Sequence, residues 1–83
     1  MKILLKPYES LFEGKFTPYV DSLTEETFFE CTVCGERPIT EERNDEGLVT
    51  QTYLTHSCHT GNYSFASAFL LEMQDYAREY NFI

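Results

Sequence analysis

The chain contains three cysteines and two histidines, and all five fall in two short clusters. Cys31-Thr32-Val33-Cys34-Gly35 is the first; His56-Ser57-Cys58-His59 is the second, with twenty-one residues between Cys34 and His56. Three cysteines cannot all pair with one another as disulfides, and a reducing compartment keeps all of them as thiols. Zinc takes four donors at the corners of a tetrahedron and prefers thiolate sulfur and imidazole nitrogen. Two cysteines separated by two residues supply half of that set when the backbone makes a tight knuckle. A glycine straight after the second cysteine adopts the turn conformation that other residues resist. The fold must then return the second cluster to the first. Cys31, Cys34, His56 and Cys58 are the expected ligands of one structural Zn2+ ion. His59 is the alternative fourth ligand, because His56 and His59 reproduce the i, i+3 knuckle spacing, whereas adjacent Cys58 and His59 together would strain the tetrahedron.

Length gives the metal a purpose. At 83 residues a hydrophobic core alone is marginal, and site formation adds directly to folding free energy. Hydrophobic residues make up 42% of the chain, with seven Phe and six Tyr, which argues against a disordered segment. No apolar run approaches the ~20 residues that span a bilayer. Ile3-Leu4-Leu5 is too short for the apolar region of a signal peptide, so the expected compartment is the cytosol and no membrane is involved. One domain is expected over 1–83: an N-terminal strand and aromatic wrap over 1–26, a hairpin region over 27–60, and a C-terminal helix over 62–81.

The pattern predicts a short strand from Lys2 to Lys6 ended by Pro7. Tyr8 to Val20, broken by Gly14 and Pro18, reads as an irregular aromatic layer. Ser22-Leu23-Thr24-Glu25 fits a capping box and a single helical turn. Thr27 to Val33 reads as a strand, Cys34-Gly35 as a turn, Arg37 to Thr40 as a returning strand and Glu41 to Gly47 as a hairpin loop. Leu48 to His56 alternates as the clearest strand. Ser64 to Tyr80 is the predicted helix, capped by Asn62 or Ser64. Phe65, Phe69, Met73, Tyr76 and Tyr80 form its core stripe, widened by Ala66, Leu70 and Ala77, with Leu71 outside it. The expected class is α+β: a small antiparallel sheet with a zinc knuckle and one C-terminal amphipathic helix packed on it.

The knuckle Cys31-Thr32-Val33-Cys34-Gly35, placed in a strand–turn–strand, resembles the first knuckle of zinc-ribbon domains. The resemblance covers Phe28 to about His59, roughly a third of the chain. Zinc ribbons usually close with a second C-x2-C, where this chain has His56-Ser57-Cys58-His59. The resemblance implies a structural zinc and, as one alternative function, a nucleic-acid-binding module using Lys2, Lys6, Lys15 and exposed Tyr for stacking.

Charge points to a different partner. The net charge is −8, and most of it lies between residues 21 and 46, where nine acidic residues face only Arg37 and Arg43. Such a field repels phosphate backbones and attracts a basic protein surface. Glu41, Glu42, Asp45 and Glu46 are the candidate partner-binding residues. Catalysis has little support. A catalytic zinc needs an open position, and the chain lacks H-E-x-x-H and the H-x-E signature of deaminases. If only three ligands bound, Glu30 or Glu36 would be the nearest general bases, giving a small zinc enzyme as the second alternative. A redox C-x-x-C usually sits at a helix N-terminus, whereas this one ends a strand. The expectation is a non-catalytic acidic zinc-binding protein that regulates or inhibits a larger protein machine. In size and charge it is similar to phage- and virus-encoded inhibitors of host nucleic-acid machinery.

Overall fold

Two three-stranded antiparallel sheets and one helix make up the α+β fold of the computed structural model, which describes residues 1–59 and 61–81. The first sheet contains β1 (Lys2–Leu4), β2 (Phe16–Asp21) and β3 (Thr27–Cys31), in the order β1-β2-β3. The second contains β4 (Ile39–Arg43), β5 (Val49–Leu54) and β6 (Tyr63–Phe65), in the order β4-β5-β6, and α1 spans Ser67–Glu79. The expected class holds, but the sheet is divided in two. Among the described residues no helix is long and apolar enough to cross a membrane.

The central strand of the first sheet is the largest departure from the sequence reading, which left Phe16 to Val20 irregular. Phe16, Pro18 and Val20 are buried while Thr17, Tyr19 and Asp21 are half-buried, a strand alternation hidden by the proline. Pro18 is tolerated because of where its backbone points. Its carbonyl accepts the Leu5 N–H (3.0 Å), just beyond the end of β1. In an antiparallel strand the N–H and C=O of one residue face the same neighbour, so the missing N–H takes nothing from the ladder to β3. The segment between β1 and β2 forms two short 3-10 turns, Lys6–Tyr8 and Leu11–Gly14, so Pro7 lies inside a turn. Phe12 and Glu13 adopt φ of 54° and 60°. That left-handed excursion turns the Phe12 ring inward against Phe16, Phe29, Tyr63 and Phe65.

The core joins both sheets to the helix. Leu5, Phe16, Val20 and Phe29 from the first sheet and its approach pack with Leu54 of β5 and Met73 and Ala77 of α1. The strand β3 is covered on both faces. On the outer one, the Arg37 guanidinium lies 3.7 Å from the Phe28 ring centre, and Tyr19 stacks on the same ring. Glu30, next along, is held by Lys2 Nζ at 2.7 and 3.0 Å. The proposed capping box at Ser22 does not form; Asp21 Oδ1 accepts the Leu23 and Thr24 N–H groups instead, and Glu25 is left-handed.

In the second sheet the returning strand begins at Ile39 and continues through Glu41 to Arg43, residues assigned by composition to the loop. The turn narrows to 44–48, where Asn44 Oδ1 accepts the N–H groups of Glu46 and Leu48. The helix starts at Ser67, three residues later than expected, because Tyr63–Phe65 pairs with β5 as a strand. Ala66 occupies the N-cap without a side-chain bond, so neither Asn62 nor Ser64 caps it. Ser67 Oγ instead donates to the Val49 carbonyl, tying the helix start to β5. Within the predicted stripe Met73 and Ala77 are buried, Phe69, Leu70 and Tyr76 are half-buried, and Tyr80 is exposed.

Candidate metal centre

Cys31 is the last residue of β3, and Cys34 follows in the turn beyond it. The turn closes through the Gly35 N–H on the Cys31 carbonyl (2.8 Å) and the Cys31 N–H on the Glu36 carbonyl (2.7 Å). Gly35 has φ +78°, which the knuckle requires and a side chain would resist. The Val33 N–H points at Cys31 Sγ (3.4 Å), and the Lys15 carbonyl accepts from both the N–H and the hydroxyl of Thr32. This half of the site is therefore shaped by backbone bonds and anchored to the first sheet.

The other half arrives from the second sheet. Beyond the end of β5 the chain turns at His56, whose carbonyl accepts the His59 N–H (3.0 Å). The two halves converge: one donor atom from each of Cys31, Cys34, His56 and Cys58 lies within 4.8 Å of all the others. In a tetrahedral site with metal–donor distances near 2.0–2.3 Å, donors are roughly 3.3–3.8 Å apart. The group is thus compact enough to hold a metal ion with small side-chain adjustments. His56 Nε2 lies 2.8 Å from Cys34 Sγ, while its Nδ1 faces Glu36 Oε2 at 3.7 Å. A carboxylate beside the far ring nitrogen is the usual way a ligating imidazole is oriented. His59 stands outside the group of four. Its Nε2 is 3.3 Å from Cys31 Sγ, and its ring packs edge-on against Phe16.

The thiols differ in acidity. Burial pushes Cys31 up, but the N–H groups of Cys34 and Val33 and the Cys34 and Cys58 thiols outweigh it and leave Cys31 below the ordinary thiol range. Desolvation, followed by the neighbouring Cys34 and Cys31 thiols, pushes Cys58 up to about 11. A cation held among the three sulfurs would reverse that second effect by favouring every thiolate.

The strands flanking the knuckle do not pair with each other: β3 pairs with β2 and β4 pairs with β5. The strand–turn–strand of the zinc-ribbon resemblance is therefore not the arrangement here. Compared with known proteins, the chain matches no family model, no curated protein and no solved structure. What the geometry defines is a small α+β protein with a three-cysteine, one-histidine group at the junction of two sheets.

The remaining candidate residues are dispersed. Glu41 and Glu42 lie in β4, and Asp45 and Glu46 in the following turn, all exposed. Glu41 pairs with Arg43 (2.9 Å), and Glu42 accepts the Tyr53 hydroxyl (2.5 Å). Glu30 is occupied by Lys2, whereas Glu36 approaches His56. Most cations are engaged within the protein: Lys2 with Glu30, Lys15 with Glu13, Arg43 with Glu41, Arg78 with Glu25, and Arg37 over Phe28. Two contributors were missed by the sequence reading. Glu36 was read only as a possible base, although its position two residues past Cys34 makes it a natural neighbour of the metal group. The Lys15 carbonyl, which braces the knuckle, carries no side-chain signal at all.

Proposed function

We propose that this protein is a zinc-stabilised, non-catalytic binding module that docks through its acidic face onto a basic surface of a larger protein and regulates it. The observation that carries this reading is the convergence of Cys31, Cys34, His56 and Cys58 within 4.8 Å of one another. Three thiols and an imidazole form a donor set that zinc favours, and four protein donors fill a tetrahedron, leaving no position for a reacting water. The donors come from the ends of two different sheets, so an ion there acts as a clasp. The engaged cations leave little positive surface for a phosphate backbone, while the acidic stretch between residues 21 and 46 suits a cationic protein partner.

Native mass spectrometry before and after a chelator, with thermal unfolding followed by near-ultraviolet circular dichroism of the tyrosines, tests the zinc. One zinc per chain, whose removal lowers the midpoint of the cooperative transition, is the expected result. A chain that binds no metal, or loses it with an unchanged transition, overturns the structural role. For docking, Glu41, Glu42, Asp45 and Glu46 are reversed together to Lys. Affinity capture should then lose the partner retained by the native chain while the circular dichroism spectrum is preserved. Retention of the same partner by the reversed chain would sink the docking assignment.

A further inference from the structure

The outer strands of the two sheets and the flank of α1 that carries Leu70, Leu71 and Gln74 meet at an open groove of about 310 Å³. Ile39, Leu70 and Leu71 supply its apolar surface, and Glu26 and Glu41 stand among the lining residues as its only charged groups. Leu71 is 62% exposed, the helix residue that fell outside the core stripe. The walls are tied together: Thr27 Oγ1 donates to the Leu70 carbonyl (3.0 Å), and Gln74 Nε2 donates to the Glu25 carbonyl. Arg78 adds an ion pair to the Glu25 carboxylate at 2.9 Å. The start of β3 and α1 are therefore fixed to one another along the groove.

Its electrostatics select the occupant. No Lys or Arg lines it. Among the described residues, the Glu26 carboxylate has no cationic partner, and the partner of Glu41 is Arg43, an exposed pair that exchanges at little cost. Both carboxylates belong to the acidic stretch between residues 21 and 46. A nucleic acid or an anionic lipid would bring negative charge to negative charge. A segment carrying one apolar side chain flanked by Lys or Arg satisfies both the floor and the rim.

We infer that this groove is the docking site for a cationic partner segment, with Leu71 as the apolar contact and Glu26 and Glu41 as the paired charges. The inference rests on the docking function proposed above and locates it away from the hairpin tip at Asp45 and Glu46. It turns Leu71 from an incidental exposed residue into the centre of the interface.

The test uses the metal-loaded full chain, isotope-labelled, and two synthetic peptides of equal charge, Arg-Leu-Arg-Leu-Arg and Arg-Ser-Arg-Ser-Arg. Titration with the leucine peptide should shift amide resonances at Ile39, Glu41, Leu70, Leu71 and Gln74. Its affinity should exceed that of the serine peptide and fall about tenfold in Leu71→Ser, as expected for loss of one apolar contact. Glu26→Lys should weaken it as well, and Asp45→Lys with Glu46→Lys should leave it within about twofold. Because Leu71 and Glu26 are exposed, these variants should keep the native spectrum, and that spectrum is the check on folding. Shifts confined to 42–48, with no effect of Leu71→Ser, would overturn the groove while sparing acidic docking. Equal affinity for the two peptides would also overturn it. Absence of binding to either peptide would overturn both the groove and the cationic-partner reading.

Discussion

The two histidines stand in different relations to the same cluster, and this difference is measurable. His56 belongs to the group of four donors, with Glu36 beside its far nitrogen, whereas His59 reaches only Cys31 Sγ. His56→Ala should abolish stoichiometric binding of one metal ion at micromolar protein. His59→Ala should keep the stoichiometry and lower affinity about tenfold, the range expected for a group that contacts a ligand without being one. Competition with a chromophoric chelator reads both; reversed ranking would exchange their roles. Cys58 gives a second handle. In the metal-free chain its thiol pKa is raised from 9.0 to about 11 by desolvation and the neighbouring thiols. The folded state thus favours the neutral thiol, a contribution present below pH 9.0 and lost as pH rises toward 11. Cys31 is shifted the other way and contributes an opposite trend at lower pH, fully gained once its unfolded thiol titrates. Alkaline denaturation of the chelated protein should therefore be blunted in Cys58→Ser relative to the native chain between pH 9 and 11, a comparison made by equilibrium urea unfolding.

Elements differ in how far local sequence determines them. The metal group was readable because the chain has only five Cys and His residues, and their spacing narrowed these to four with His59 as the alternative. The strand β5 was readable from its alternation, and Thr52 and Leu54 are indeed fully buried on one side. The strand β2 was not, since Pro18 is normally a strand breaker and only its position beyond the end of β1 makes it harmless. Nor was β6: three residues have little preference of their own, and pairing with β5 decides their state. The same nonlocal choice split one expected sheet into two, because β4 turned to β5 and not to β3. Packing on β5 has one flaw. Thr52 Oγ1 is fully enclosed and has no hydrogen-bond partner among the described residues. Thr52→Val keeps the branched shape and removes the orphaned hydroxyl, so it should stabilise the metal-loaded protein by about 1 kcal/mol in denaturant unfolding. A loss of stability would mean that the hydroxyl is satisfied in solution.

For the whole molecule, the candidate metal centre and the aromatic core are two adjoining links between the sheets, in contact through Cys31 and through His59 on Phe16. Chelation should open the first and spare much of the second in the earliest stage of unfolding. Hydrogen exchange after chelator addition should accelerate first at residues 31–36 and 56–59, with the β2–β3 ladder retained longer. Uniform acceleration across both sheets would show one indivisible unit instead. The division of donors also has a temporal consequence. Everything needed for the first sheet precedes residue 32, whereas His56 and Cys58 come more than twenty residues later. During synthesis, at roughly 5–20 residues per second, the two leading thiols emerge on the order of a second or more before the donors that complete them. Throughout that interval the nascent chain would offer only a bidentate pair, half of the four donors that the proposed ion needs. Capture of an ion at the proposed site would thus mark the moment when the second half of the chain has found the first.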